Sequence, residues 1–71
     1  MDADDVYGRL KGYGEIIIVM DSGRAHELHD GDTQYDRDAK TFEFVDHEGT
    51  RKLIDATKVE EVQEPASHTL D

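Results

Sequence analysis

Hydrophobic and polar positions follow two different periods along the chain. Near the N-terminus, Val6 and Leu10 are spaced i,i+4 and Tyr7 and Leu10 i,i+3, which lines one stripe of a helix. That spacing predicts a short helix over residues 2–12. Asp2 stands at its N-cap, and Asp4 and Asp5 favour the positive end of the helix dipole. Gly12 and Gly14 supply the stop. Gly8 weakens such a helix by about 1 kcal/mol relative to Ala.

From Glu15 the period shortens to two. Glu15 to Met20 is rich in β-branched residues and is bounded by Gly14 and by Asp21-Ser22-Gly23, so it reads as a strand running into a tight turn. Gly23 suits the positive φ of that turn. The return strand, Arg24 to His29, puts His26 and Leu28 on one face and Ala25, Glu27 and His29 on the other. Asp30 to Lys40 is acidic with a single Tyr35 and is expected to be a loop. Thr41 to Asp46 is a third strand with Phe42 and Phe44 on one face. His47-Glu48-Gly49 is a turn, Thr50 to Asp55 a fourth strand, and Ala56-Thr57-Lys58 a helical turn. In the fifth strand, Val59 to Gln63, Val59 and Val62 break the alternation, which predicts a bulge. From Glu64 onward there is Pro65 and no apolar pattern, so 64–71 is expected to be a disordered tail.

Five short strands with tight turns predict a single mainly β domain over 1–63. The expected architecture is a small five-stranded SH3-like barrel, or a strongly bent antiparallel sheet, with a short N-terminal helix. Closing the sheet removes the unpaired edges that an open meander exposes. The run Ile16 to Met20 is far shorter than the roughly 20 apolar residues of a membrane span. The acidic start, Met1 to Asp5, is unlike a basic signal sequence, so a cytoplasmic location is expected.

Charge then narrows the function classes. Among 71 residues, 18 are acidic and 8 basic, giving a formal net charge of −10. Such a chain repels phosphate backbones and anionic membranes. Its basic residues are scattered, with only Arg51 and Lys52 adjacent. Because acids occur in turns and strands alike, the charge is read as adaptation to a saline cytoplasm, where 1 M salt screens repulsion beyond about 3 Å. The alternative is an acidic surface that captures a basic partner. With no Cys, disulfides, thiol nucleophiles and Cys-based zinc sites are excluded.

The segment Ile16 to Arg24, followed by Leu28 and Asp36, resembles the first signature of Sm-like proteins. Ile54-Asp55-Ala56 and then Val59 resemble the second, and the leading helix also fits. The chain is similar as well to small acidic SH3-like proteins of halophilic archaea. The resemblance implies a barrel. The family's Arg-Gly pair is replaced by Asp55-Ala56, an anion where an RNA-holding cation would stand. Should nucleic acid nevertheless be bound, Lys40, Arg51 and Lys52 are the candidates.

Other candidate chemistry is sparse. Asp30, Asp32, Asp36 and Asp38 alternate as in a calcium loop, yet positions six and twelve hold Tyr35 and Thr41 instead of Gly and Glu, and no metal is expected. His26-Glu27-Leu28-His29 lacks the i,i+4 spacing of a zinc-protease helix, and a strand points the two rings to opposite faces. His26 is expected to be half-buried beside Leu28, and His29 to pair with Asp30 or another loop carboxylate. Ser22 and Ser67 have no recognisable base. A domain this small is expected to lack a pocket of the roughly 300 Å³ that ligand sites need. Neither an enzymatic activity nor a cofactor is therefore expected. The strand Ile16–Met20 is apolar on both faces, which says both are covered, either by the bend of a barrel strand alone or by a subunit or partner, with Tyr7, Tyr13, Ile17 and Val19 as interface candidates. The expected function is a small interaction or regulatory module that binds a protein partner or a second copy of itself. An Sm-like nucleic-acid regulator is the alternative, and a cation-binding acidic loop a weaker one.

Overall fold

A computed structural model describes residues 1–64. Of the tail expected over 64–71, Glu64 is described and the remainder, 65–71, lies outside the described residues.

Helix α1 spans Ala3–Tyr13. Asp2 is its N-cap by backbone geometry but makes no side-chain capping bond. The stop comes at Gly14, not Gly12: Gly14 adopts φ 84° and its N–H donates to the Leu10 carbonyl at 2.8 Å. A left-handed residue is needed once, and glycine takes it without a Cβ clash. Ala3, Val6 and Leu10 form the buried stripe.

The strands are β1 Glu15–Met20, β2 Ala25–His29, β3 Thr33–Asp36, β4 Thr41–Val45, β5 Arg51–Asp55 and β6 Val59–Gln63. Three-residue 3-10 turns at Asp30–Asp32 and Ala56–Lys58 separate β2 from β3 and β5 from β6. The protein is mainly β, with two antiparallel three-stranded sheets of order β2-β1-β6 and β3-β4-β5. This corrects the expected five strands. Part of the acidic segment read as a loop is β3, in which Thr33 pairs with Phe44 and Tyr35 with Phe42. Two inward residues between acids are too short a run to outweigh the composition of 30–40, so period two was hidden there. The ladders also stop at two sheets instead of running round a closed barrel.

The expected bulge is present. Val19 faces Glu61 while Met20 faces Val59, so Glu60 is the extra residue. The bulge restores both valines to the inward face: Val59 is buried, and Val62 packs half-buried against the core.

The inner faces and the helix stripe meet in one cluster. Ile16, Ile18, Leu28, Phe42, Phe44, Ala56 and Val59 are buried together with Ala3, Val6 and Leu10. Each large side chain so placed contributes about 1.5–3 kcal/mol. Aromatic rings fasten the helix to the second sheet. Tyr7 stacks on Tyr35 at 4.7 Å, Tyr35 lies 5.0 Å from Phe42, and the Tyr35 hydroxyl donates to Asp4 Oδ1 at 2.7 Å. The N-terminal ammonium donates to the Val59 carbonyl at 2.9 Å, closing the helix over the last strand.

Phe42→Ala should cost about 3–5 kcal/mol, a large share of a small domain's stability of about 5–15 kcal/mol. Urea denaturation followed by circular dichroism reads the loss. Lys40 is strained at φ 57°, where its carbonyl accepts from the Ala56 N–H at 2.9 Å. Left-handed geometry costs an L-residue about 1–2 kcal/mol, so Lys40→Gly should raise the urea midpoint, by up to about 1 kcal/mol in stability. An unchanged or lowered midpoint contradicts the strain.

Candidate functional site

Among the described residues one edge of β2 is free, and the ladder bonds say which groups it offers. Around the β1–β2 pair, the Met20 N–H donates to the Arg24 carbonyl at 2.7 Å and the Asp30 N–H to the Gly14 carbonyl at 2.9 Å. Bonded pairs alternate along an antiparallel ladder, so His26 and Leu28 are the β2 residues bonded to β1. The N–H and C=O of Ala25, Glu27 and His29 therefore turn away from the sheet.

Beside that edge runs an open groove of about 750 Å³, lying between β2 and the β4–β5 hairpin. It is an open groove: with the ladders ending at two sheets, a seam remains between them. Phe44 and the half-buried His26 lie at its floor, their rings edge to face at 5.6 Å. Glu27, Asp32 and Glu48 stand along the rim, and Arg24 and Lys52 line it too.

Burial holds the His26 imidazole below its ordinary pKa, and the nearby Lys52 and Arg24 cations push it the same way. Asp46 anchors the hairpin. Its Oδ1 accepts from the backbone N–H of Thr50 at 2.9 Å and of Glu48 at 3.0 Å, and its Oδ2 lies 3.5 Å from Lys52 Nζ. The Thr50 N–H, foremost, holds this carboxyl below the usual range, helped by the Glu48 N–H and Lys52. His29 points to the outer face, opposite to His26 as the strand period requires. There it lies 3.3 Å from Glu15 and 3.0 Å from Glu27, not beside Asp30 as expected. The register explains this: Glu15 sits directly across from His29, and Glu27 is two residues away on the same face. Asp30 pairs instead with Lys11 at 3.3 Å.

The other candidates are dispersed. Tyr7 is engaged within the chain by Tyr35 and Phe42, and Tyr13 donates to Glu64 Oε1 at 3.0 Å. Ile17 and Val19 lie half-buried on the outer face of β1, outside the buried cluster, and Ile17 also lines the groove. Arg51 and Lys52 diverge. Arg51 pairs with Glu43 at 3.3 Å on the outer face, Lys52 turns to the groove, and Lys40 stands at the far end of β4. Of the alternating acids, Asp30 and Asp32 lie in the 3-10 turn, Asp36 ends β3 and accepts from the Ala39 N–H at 3.0 Å, and Asp38 follows in the next turn. Among the described residues no three metal-ligating side chains are grouped. No helix among them is long and apolar enough to cross a membrane.

The groove itself was missed in the sequence. A signal existed: His26 shares a face with Leu28, and Lys52 one with Ile54. A polar residue at an inward position marks a place where the core is open. Compared with known proteins, the chain matches no family model, no curated protein and no solved structure.

The His26 shift has a definite sign. Burial favours the neutral ring, so the unfolded chain takes up the proton at a higher pH than the folded one. This contribution to stability is complete above the ordinary pKa of about 6.5 and is lost progressively as pH falls below it. Urea midpoints at pH 7.5 and 5.5, compared between wild type and His26→Leu, should show a larger acid loss in the wild type. Equal losses contradict burial of the ring.

Proposed function

We propose that the protein is a non-enzymatic interaction module that takes an extended, cationic segment of a protein partner along the free edge of β2. The observation carrying this reading is the outward-turned backbone of Ala25, Glu27 and His29 beside the groove. Main-chain bonds to a sheet edge supply affinity, and pockets for alternate side chains supply selectivity. Here the floor is Phe44 and His26, which suits an apolar side chain. The rim carries Glu27, Asp32 and Glu48, which suit Lys or Arg. Of the two cations along the groove, Lys52 is met by Asp46, and Arg24 directs a ligand's charge toward the carboxylates of Glu27, Asp32 and Glu48. The net charge of −10 steers basic partners from a distance.

The fold reading that accompanies this is a small SH3-like barrel of the Sm-like kind. In it, β2, the Asp30–Asp32 turn and β3 are one strand, bent so that each half serves a different sheet. The short connection between β2 and β3 and the 3-10 turn before β6 support it. A protein partner is favoured over nucleic acid because Lys40, Arg51 and Lys52 share no face. The spread of acids supports a salt-adapted cytoplasm as the setting.

A short peptide alternating Lys with Val tests the site in an NMR titration. Shifts should centre on Ala25, Glu27, His29 and Phe44, and Glu27→Lys should weaken binding severalfold. No shifts, or shifts confined to other elements, sink the proposal, as does oligo-uridine moving Lys40, Arg51 and Lys52 instead. Salt adaptation is tested by melting: Tm should rise markedly from low to molar salt as self-repulsion is screened, and a flat Tm contradicts it.

A further inference from the structure

The second sheet also ends in a free edge. Among the described residues β5, Arg51–Asp55, pairs only with β4, in the order β3-β4-β5. Its outward groups follow from the ladder. The Asp46 N–H donates to the Thr50 carbonyl and the Ala56 N–H to the Lys40 carbonyl, each at 2.9 Å. By alternation, Lys52 and Ile54 bond to β4, while Arg51, Leu53 and Asp55 present their N–H and C=O outward. The same three side chains share the outer face of the sheet. Leu53 is 67% exposed, the most exposed large hydrophobic residue among those described.

The order of these residues is self-complementary. Set β5 antiparallel to itself about a two-fold axis through Leu53. Leu53 then meets Leu53 of the second copy, Arg51 meets Asp55, and Asp55 meets Arg51. Opposite charges facing across strands are favourable, and a central apolar pair is covered on that face. Asp55 receives both Thr57 bonds at Oδ1, which leaves Oδ2 for the arginine, and Arg51, paired with Glu43 through Nη1, keeps its other guanidinium N–H groups for that carboxylate. Other edges lack this property. The same operation on β2 sets Glu27 against Glu27, and on β6 Glu61 against Glu61. β3 contains no cation to meet Asp36.

We infer that a second copy of this chain docks edge to edge on β5, making a two-fold dimer with one continuous sheet of six strands. A symmetric interface of this kind closes on itself and does not propagate. It uses a surface separate from the β2 groove, so the two proposals stand or fall apart. Two chains of charge −10 repel at long range, and the dimer is favoured once salt screens that repulsion.

Sedimentation velocity across a concentration series to millimolar, in molar salt, tests the mass. Amide hydrogen exchange tests the place. Dimer should form with concentration, and the amides of Arg51, Leu53 and Asp55 should slow at least severalfold while those of Ala25, Glu27 and His29 do not. Leu53→Lys, which sets two cations together, should remain monomeric with an unchanged circular dichroism spectrum. Arg51→Glu and Asp55→Lys should each fail to dimerise alone and form a heterodimer when mixed, since mixing restores both charge pairs. A monomer throughout the series, a dimer that survives Leu53→Lys, or protection appearing on another edge each overturns the inference. If Asp55→Lys fails to fold, the Leu53→Lys and exchange results decide.

Discussion

The packing of Phe42 is the contact on which the rest of the structure depends. Its ring is fully buried in the middle of β4, covered by Tyr35 from β3 and, through Tyr35, by Tyr7 from α1. In one stack the helix, the second sheet and the shared core are held together. The first sheet contributes Ile16, Ile18 and Leu28 to the same cluster. With no disulfide available, this apolar centre is what offsets the chain entropy of a 71-residue protein. The polar Tyr35–Asp4 bond fixes the orientation of the stack at its exposed rim.

That arrangement leaves a consequence at the periphery. A core this small satisfies two three-stranded sheets, and among the described residues their edges remain unpaired. The edges differ in chemistry. β2 opens on a groove with an aromatic floor and an acidic rim, which suits a basic extended segment. β5 carries a cation, an exposed leucine and an anion in an order that complements itself. β6 is defended by Glu60 and Glu61, charges of the kind that keep an edge from pairing. The overall acidity therefore has local meaning. It protects some edges, tunes another for basic ligands, and leaves β5 as the edge strand, among the described residues, with a cation at one end and an anion at the other.

Much of the fold was legible in the chain. The helix stripe of Val6 and Leu10, the apolar run of β1, the Asp21-Ser22-Gly23 turn and the bulge beside Val59 all follow from short-range periodicity. β3 was not legible, because Thr33 and Tyr35 become strand residues only when Phe44 and Phe42 lie across from them. Of the two partners of His29, Glu27 shares its face within one strand and was within reach of local periodicity, whereas Glu15 is distant in sequence and adjacent only through the β1–β2 register. Of the four interface candidates, Tyr7 proved to be engaged inside the molecule by rings that no local pattern could bring to it.

The sequence by itself determined the net charge, the absence of thiol chemistry, the class of secondary structure and the faces on which side chains fall. Those properties depend on composition and on neighbours within a few residues. The tertiary structure decided which strands lie at edges, which backbone groups they turn outward, and where the seam between the sheets opens. These depend on which distant segments pair, and a hydrogen-bonded ladder is specified by both of its strands together. The face of Lys52 could be read from one strand; that this face borders a groove could not.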